Sequence, residues 1–522
     1  MRLYTNREDF YNDLCEVIRL FVPTAIVELS DAPGAFARET DPMSVQSADA
    51  LRVMVWREGS VHCAAADFVQ GGQTHSYTYK NSFSDVQYYS YSEQDPLGGS
   101  FPIVGFGEDE YLREKRYQKR CAKIAAFRTL RMAYPMTPLP WGSLTGIRPT
   151  RLLRDLEDSY GKNGALSLMA NEFDVSEEKL ALAERIVGVQ RPILTPADSG
   201  NIDIYIGIPF CRTRCLYCSF ASELRTRRTD MAGYLAALKK DIRKGAALVR
   251  ELGLNVRACY VGGGTPTILT EEELADLLGF AASTYGFGEG MEFTVEAGRP
   301  DTITEGKLNI MKNSGVTRIS INPQTMNDRT LIAVGRDHTA RDIELCFLKA
   351  REIGFDSINM DLIAGLPGET SEDMQRTVEA VEKLGPDCLT VHTLAIKRSS
   401  RLHEQLPRYQ LPPVAEVEKM IAIGAKAAED MGMAPYYMYR QKYMAGNMEN
   451  VGYSKPDKIC LYNIDMMEDC LSILAHGAGA MTKRVFPDGH RIERVPNPKD
   501  IATYIAKIDK VDEDRVKLFH AE

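Results

Sequence analysis

The sequence predicts an α/β fold: a partial (β/α)6 TIM-like barrel with an N-terminal α+β domain before it and a C-terminal α+β extension after it. Two observations carry this expectation. Between about 200 and 400, short apolar runs alternate with helical segments six times, and repeated strand–helix units build a parallel sheet with helices outside it. The whole chain has 522 residues, more than one ordinary core supports, so the barrel needs flanking domains. The composition implies boundaries at 1–155 for the N-terminal domain, 156–198 for a helical linker, 199–400 for the barrel and 401–522 for the C-terminal domain.

The elements follow in order. Leu51–Trp56 and His75–Tyr79 read as antiparallel strands, being rich in β-branched and aromatic residues. Tyr111–Arg131 reads as a helix carrying Arg113, Lys115, Arg116, Lys119, Arg120 and Lys123. Its charge suits either a solvated face or an acidic ligand. Pro138–Pro149 is a dense turn region and a candidate linker, and Glu177–Val189 a further helix,. The barrel strands are Ile202–Ile208, Ala258–Val261, Glu292–Val295, Thr317–Ile321, Ser357–Ile363 and Leu389–Leu394. Apolar spacings of three and four predict helices at Met231–Leu252, Glu271–Tyr285, Arg341–Ile353 and Ser371–Leu384,. Glu372 and Asp373 suit the start of the last,. Beyond 400 a helix near Val414–Met431 precedes a Tyr- and Met-rich stretch.

Bulk properties exclude several classes. With 44% hydrophobic and 26% charged residues, the chain reads as globular. No run of about eighteen apolar residues is present, so no membrane span is expected. A net charge of −9 argues against wholesale nucleic-acid binding,. The opening residues lack the apolar core of a secretion signal. The 11 scattered cysteines fit a reducing cytoplasm and a cytoplasmic location.

Cys211, Cys215 and Cys218 stand apart, in a C-x3-C-x2-C loop just past the first barrel strand. Functional loops of such barrels gather at the C-terminal ends of the strands. A cubane iron–sulfur cluster normally takes four thiolates, so three leave one iron open to another ligand. Structural zinc is the alternative, but zinc sites pair C-x2-C units with two further ligands, and no second pair is present. Gly262-Gly263-Gly264-Thr265-Pro266-Thr267 ends the second strand and offers bare backbone to a ligand,. Glu296 ends the third, Gln324 follows the fourth, Arg336 lies in the next loop and Asp361 is within the fifth. Carboxylates and amides suit hydroxyls and amines, and an arginine suits a carboxylate.

These residues resemble the radical S-adenosylmethionine (SAM) superfamily. Within it they resemble the oxygen-independent coproporphyrinogen III oxidase (coproporphyrinogen dehydrogenase) family, on the runs Tyr205–Phe220, Gly262–Thr267, Arg318–Gln324, Gly335–Thr339 and Asp361–Thr370. The flanking runs Pro140–Pro149 and Tyr436–Tyr453 resemble its longer HemZ-like branch. The resemblance implies a 4Fe-4S cluster on Cys211, Cys215 and Cys218 and two SAM molecules. Tyr205, Tyr217, Gly263 and Glu296 would contact the cluster-bound one. Gly264, Thr265, Gln324, Arg336, Asp361 and Ala395 would line the second. It also implies a tetrapyrrole substrate, a low-potential electron donor such as a flavodoxin or ferredoxin, and oxidative decarboxylation of propionates to vinyls. Arg225, Arg227, Arg228, Lys397, Arg398, Arg401 and Arg440 are candidate partners for the substrate carboxylates. Two departures leave alternatives open. Phe220 stands where the dehydrogenases continue with a fourth cysteine, as in the haem-chaperone relatives (HemW). The chaperones' His-Asn-x-x-Tyr-Trp run is replaced by Tyr462-Asn463-Ile464-Asp465-Met466-Met467. A haem-delivering protein and a haem-modifying methyltransferase therefore stand beside the dehydrogenase, with Tyr462 or Met466 as a haem ligand or as ordinary packing.

Overall fold

The computed structural model describes residues 1–30, 49–59, 61–80, 110–145, 148–220, 222–441, 444–487, 489 and 491–521. The chain forms two compact units, one of residues 1–184 with 446–448, the other of 185–445 with 449–522.

The first unit is built on a five-stranded sheet: β1 (Arg2–Thr5), β2 (Glu28–Leu29), β3 (Ala50–Glu58), β4 (Val61–Gln70) and β5 (Gln73–Lys80), in the order β2-β1-β3-β4-β5. The expected antiparallel strands are β3 and β5, and β4 lies between them as an antiparallel neighbour of both. The helix Tyr11–Phe21 buries Leu14, Val17 and Ile18, recurring at the helical spacing that faces one core,. The basic helix spans Glu110–Ala133. Lys115 pairs with Asp9 at 2.9 Å, Lys119 with Asp13 at 3.0 Å, and the ammonium of Lys123 donates to the Thr145 hydroxyl. Two of these charges are thus paired inside the unit and the third is held by a neutral hydroxyl; the side chains of Arg113 and Arg116 lie outside the described residues. The Pro-rich turn is packed rather than extended, with Trp141 fully buried and Ser143 N–H donating to the Phe173 carbonyl at 2.8 Å.

The second unit holds the barrel. Strands β6 (Asn201–Ile208), β9 (Asn255–Gly263), β10 (Glu292–Gly298), β11 (Arg318–Ile321), β12 (Ile358–Ala364) and β13 (Cys388–Thr393) lie side by side, each parallel to the next. The short pair β7 (Phe210–Cys211) and β8 (Glu223–Leu224) lies outside this sheet. Helices occupy Met231–Glu251, Glu271–Tyr285, Glu305–Asn313, Ala340–Ile353 and Ser371–Leu384 between strands. Three enter on a reciprocal cap, Thr270 with Glu273, Thr339 with Asp342 and Thr370 with Asp373. Each leaves its helix through a glycine in the left-handed region, where a Cβ would be strained,.

The C-terminal extension joins this sheet at both edges. Beyond β13 it adds β15 (Asn450–Ser454) and then β14 (Ala434–Tyr439), both antiparallel to their neighbours. Beyond β6 it adds β16 (Ser472–His476), a seventh parallel strand, then β17 (Met481–Val485) and β18 (Ile492–Pro496). Among the described residues no pairing joins the two edges, so the sheet is open on one side. Helix Leu461–Glu468 packs against β9 and β14, its first N–H groups held by the Glu292 carboxylate. Tyr462 on this helix stacks on Tyr260 at 4.7 Å between ring centroids, and Tyr205 stacks on both. Tyr462 is a packing residue here.

Candidate functional site

The cysteine loop leaves β6 through Pro209 and enters β7. Pairing of β7 with β8 closes its far side, with Glu223 N–H on the Pro209 carbonyl at 2.8 Å and Arg225 N–H on the Cys211 carbonyl at 3.0 Å. Leu216 pins the middle. Its side chain is buried among Val334, Ile363, Leu366, Leu394 and Leu402, and its N–H donates to the Val334 carbonyl at 2.9 Å. Anchoring Leu216 fixes Cys215 and Tyr217 on either side of it. All three thiols are half-buried. Burial holds the Cys218 thiol up to about 11, so its thiolate needs a bound cation to form at neutral pH. The Thr265 hydroxyl lies 3.6 Å from Cys211 Sγ, and Arg299 Nη1 lies 3.8 Å from Cys215 Sγ.

The glycine run is zipped to this loop: Gly264 N–H donates to the Ile208 carbonyl and Thr265 N–H to the Phe210 carbonyl, both at 2.8 Å. Gly263 has φ +110°, which favours glycine,. At Gly264 a Cβ would stand 2.5 Å from the Phe210 carbonyl oxygen. Gly264 is therefore bare because the cysteine-loop strand crosses it, a reason additional to ligand approach.

Next to it, Glu296 accepts from the Tyr260 hydroxyl at 2.7 Å. Burial, reinforced by the nearby Asp361 charge, lifts its pKa to about 7 against the pull of that hydrogen bond. Asp361 accepts from Asn359 Nδ2 at 2.8 Å and faces His392 Nε2 at 3.7 Å. Burial alone would raise its pKa, but the hydrogen bonds win and hold it below the usual carboxylate value. Gln324 adopts φ +68°, rare for a side-chain-bearing residue,. Its N–H and C=O both bond β12, to the Asp361 carbonyl at 2.8 Å and the Ile363 N–H at 3.0 Å. Arg336, 5% exposed, donates to the Tyr217 hydroxyl at 3.2 Å and the Asn322 carbonyl at 2.8 Å. Three buried polar atoms here have no partner: Gln324 Oε1, Asn322 Oδ1 and Arg336 Nε. An unpaired buried polar group costs about 1–3 kcal/mol, so three at one rim mark a place built for a polar ligand.

Contacts therefore link Cys211 with Thr265, Tyr217 with Arg336, and Gln324 with Asp361, while Tyr205 approaches Gly263. Ala395 forms an isolated antiparallel bridge with Met444. Arg225, a candidate for substrate carboxylates, is gripped by Glu273 through two hydrogen bonds of 2.7 and 2.8 Å. Sequence reasoning missed Arg299, Asn322 and His392. Arg299 lies just past the third barrel strand, but what marks it is its contact with the cysteine loop, and His392 lies one residue before the end of the sixth strand, beside Thr393.

Among the described residues no three His, Cys, Asp or Glu side chains converge on one point that could hold a single ion. A cubane takes each thiolate on a different iron, which three cysteines spaced along one loop allow. Three thiols on a pinned loop, bare glycine backbone and unpaired polar atoms beside them fit a 4Fe-4S cluster with SAM.

Comparisons with known proteins agree. Residues 205–381 match the family model of the radical SAM superfamily. The oxygen-independent coproporphyrinogen-III oxidase-like protein HemZ of Bacillus subtilis is 38% identical over 386 residues, 72% of this chain and 76% of its own. The haem chaperone HemW of the same organism is 33% identical over 44% of this chain and 61% of its own. The solved structure of coproporphyrinogen III oxidase (HemN) from Escherichia coli is 24% identical, covers 62% of this chain and 73% of that one, and superposes with a TM-score of 0.50. That likeness shows the shared fold. Among the described residues no helix is long and apolar enough to cross a membrane. The chain belongs to the radical SAM superfamily, in the HemZ-like branch of the oxygen-independent coproporphyrinogen III oxidase family.

Proposed function

We propose that the protein carries out oxygen-independent oxidative decarboxylation of coproporphyrinogen III propionates to vinyls. The single observation behind the reading is the 38% identity with a coproporphyrinogen-III oxidase-like protein across most of both chains. The rim geometry supports it. Cys211, Cys215 and Cys218 would hold the cluster. Glu296 and the Gly263 backbone would take the amino group of the SAM bound to it, with Tyr205 and Tyr217 alongside. Gln324 Oε1 and Arg336 Nε, both buried without a partner, would meet a second SAM, with Gly264, Thr265, Asp361 and Ala395 completing that position.

When bound, cluster and SAM supply a one-electron cleavage that generates a hydrogen-abstracting radical. The chain's part is orientation and exclusion of water. The Leu216 cluster pins the cysteine loop, and the Tyr205–Tyr260–Tyr462 stack holds the Tyr260 hydroxyl on Glu296. For each vinyl formed the substrate would lose a hydrogen atom to that radical, carbon dioxide, and one electron to a separate one-electron acceptor. The propionates would be met by exposed cations beside the loop, Arg227, Arg228 and Arg398, rather than by Arg225. The electron would come from a low-potential donor such as a flavodoxin or ferredoxin.

A second reading, haem delivery, is favoured by the HemW relatives and by Phe220. Tyr462, buried in its ring stack, does not support it. Anaerobic incubation of the reconstituted protein with coproporphyrinogen III separates the two. Conversion to vinyl-bearing porphyrinogen supports the enzyme, while haem binding with no conversion supports the carrier. A methylated, ring-opened tetrapyrrole would indicate a haem-modifying methyltransferase instead.

A further inference from the structure

Arg299 follows the third barrel strand, in the run Glu296-Ala297-Gly298-Arg299-Pro300. It is 5% exposed, a position that an arginine holds only when its guanidinium is matched by partners. One edge of the fork serves the cysteine loop. Nη1 donates to the Thr213 hydroxyl at 2.8 Å and the Thr213 carbonyl at 3.2 Å, and lies 3.8 Å from Cys215 Sγ. The other edge is held by Asp301, which accepts from Nε at 2.9 Å and from Nη2 at 3.2 Å. Asp301 in turn faces His338 Nδ1 at 3.4 Å and Arg212 Nε at 3.8 Å.

We infer that Arg299 is a positioning residue that sets the electron affinity of the cluster through the thiolate of Cys215. The inference rests on the cluster reading given above. Thr213 sits midway between the first two cysteines, so a guanidinium gripping both its hydroxyl and its carbonyl fixes the spacing of those ligands. The same Nη1 is the cationic donor beside a ligating sulfur. Reduction adds one negative charge to the cluster, and a nearby buried cation stabilises the reduced form more than the oxidised one. Hydrogen bonds and charge at the sulfurs are what tune such potentials. Burial keeps solvent from screening the effect. Asp301 opposes it, because its carboxylate neutralises part of the guanidinium charge while holding the fork in place. The pair therefore makes a prediction with two signs.

The experiment uses the full chain, reconstituted anaerobically, with iron counted and the midpoint potential read by an EPR-monitored titration. Arg299→Gln keeps an amide donor for Thr213 and removes the charge. Its reduced-to-oxidised ratio at a fixed poise should fall about tenfold, equivalent to ~59 mV for one electron. Arg299→Lys should restore most of that loss. Asp301→Asn should shift the potential the other way, upward, because it leaves the guanidinium charge unopposed. Shifts of the same sign in Arg299→Gln and Asp301→Asn would mean a merely structural role and overturn the inference. So would unmoved potentials with about four irons per chain. Should Arg299→Gln fail to hold iron, Arg299→Lys near wild type with Asp301→Asn raised supports the inference, and Asp301→Asn unmoved defeats it. Wild-type protein that assembles no cluster would defeat the cluster reading itself, a result distinct from a cluster whose potential ignores Arg299.

Discussion

Glu296 is a carboxylate held near neutrality, and its pKa of about 7 has a consequence for ligand binding. An amino group is best held by the ionised form, so SAM affinity of the reconstituted protein should rise as pH rises through about 7. In Glu296→Gln that dependence should vanish, which calorimetric titration on either side of neutrality would show. The stability of the ligand-free protein should run the opposite way. The folded-state pKa lies above the ordinary glutamate value, so the neutral form favours folding. That contribution is fully present below the unfolded pKa and is lost as pH rises through the folded one. The cysteines give a simpler test: Cys215→Ala should abolish SAM cleavage and leave far-UV circular dichroism unchanged. Cleavage persisting in that variant would remove the cluster assignment. At this scale the motif residues were legible because each is a polar or metal-ligating type out of place at a strand end. Arg299 and Asn322 were not, because what marks them is a partner contributed by another loop, or the lack of one.

Among the elements, the contact between the end of β9 and the cysteine loop positions the chemistry. Gly264→Ala would push a methyl group against the Phe210 carbonyl, a backbone atom that cannot swing away. We expect the variant to fold and to bind well under half the wild-type iron, because the strain falls on the loop and not on the core. Normal iron content would show that the loop yields freely. Thr370→Ala removes a capping hydroxyl from helix Ser371–Leu384 and should cost about 1 kcal/mol in denaturant unfolding. The expected helices were readable almost to their ends, since Glu271–Tyr285 and Ser371–Leu384 carry both amphipathic spacing and terminal punctuation, whereas β9 runs three residues before and two after the expected Ala258–Val261, and helix Glu305–Asn313 was not expected. The strand Val61–Gln70 was missed, its three consecutive alanines offering little β signal. So was the pair β7–β8, because two-residue strands have no period to detect.

For the whole molecule, the C-terminal extension is part of the barrel sheet. The sequence showed no sign of β16 joining β6, because pairing across some 270 residues of separation leaves no local trace,. The weld is polar as well as apolar. Asp241 on helix Met231–Glu251 bonds His476 Nδ1 at 2.8 Å, accepts from the Tyr504 hydroxyl at 2.5 Å and pairs with Arg515 of the last helix. Burial alone would raise the Asp241 pKa, but Arg515 and His476 hold it far below the usual carboxylate range. Arg515→Met leaves that carboxylate without its cationic partner and should lose roughly 3–5 kcal/mol, read as a lower urea midpoint. The proposed reaction has a radical formed from SAM take hydrogen from a propionate side chain. It is tested most directly with coproporphyrinogen III deuterated in its propionates, incubated anaerobically with the reconstituted protein, SAM and a reductant. Deuterium should then appear in the 5′-deoxyadenosine recovered, together with vinyl product and carbon dioxide. Unlabelled 5′-deoxyadenosine with the propionates intact would contradict it.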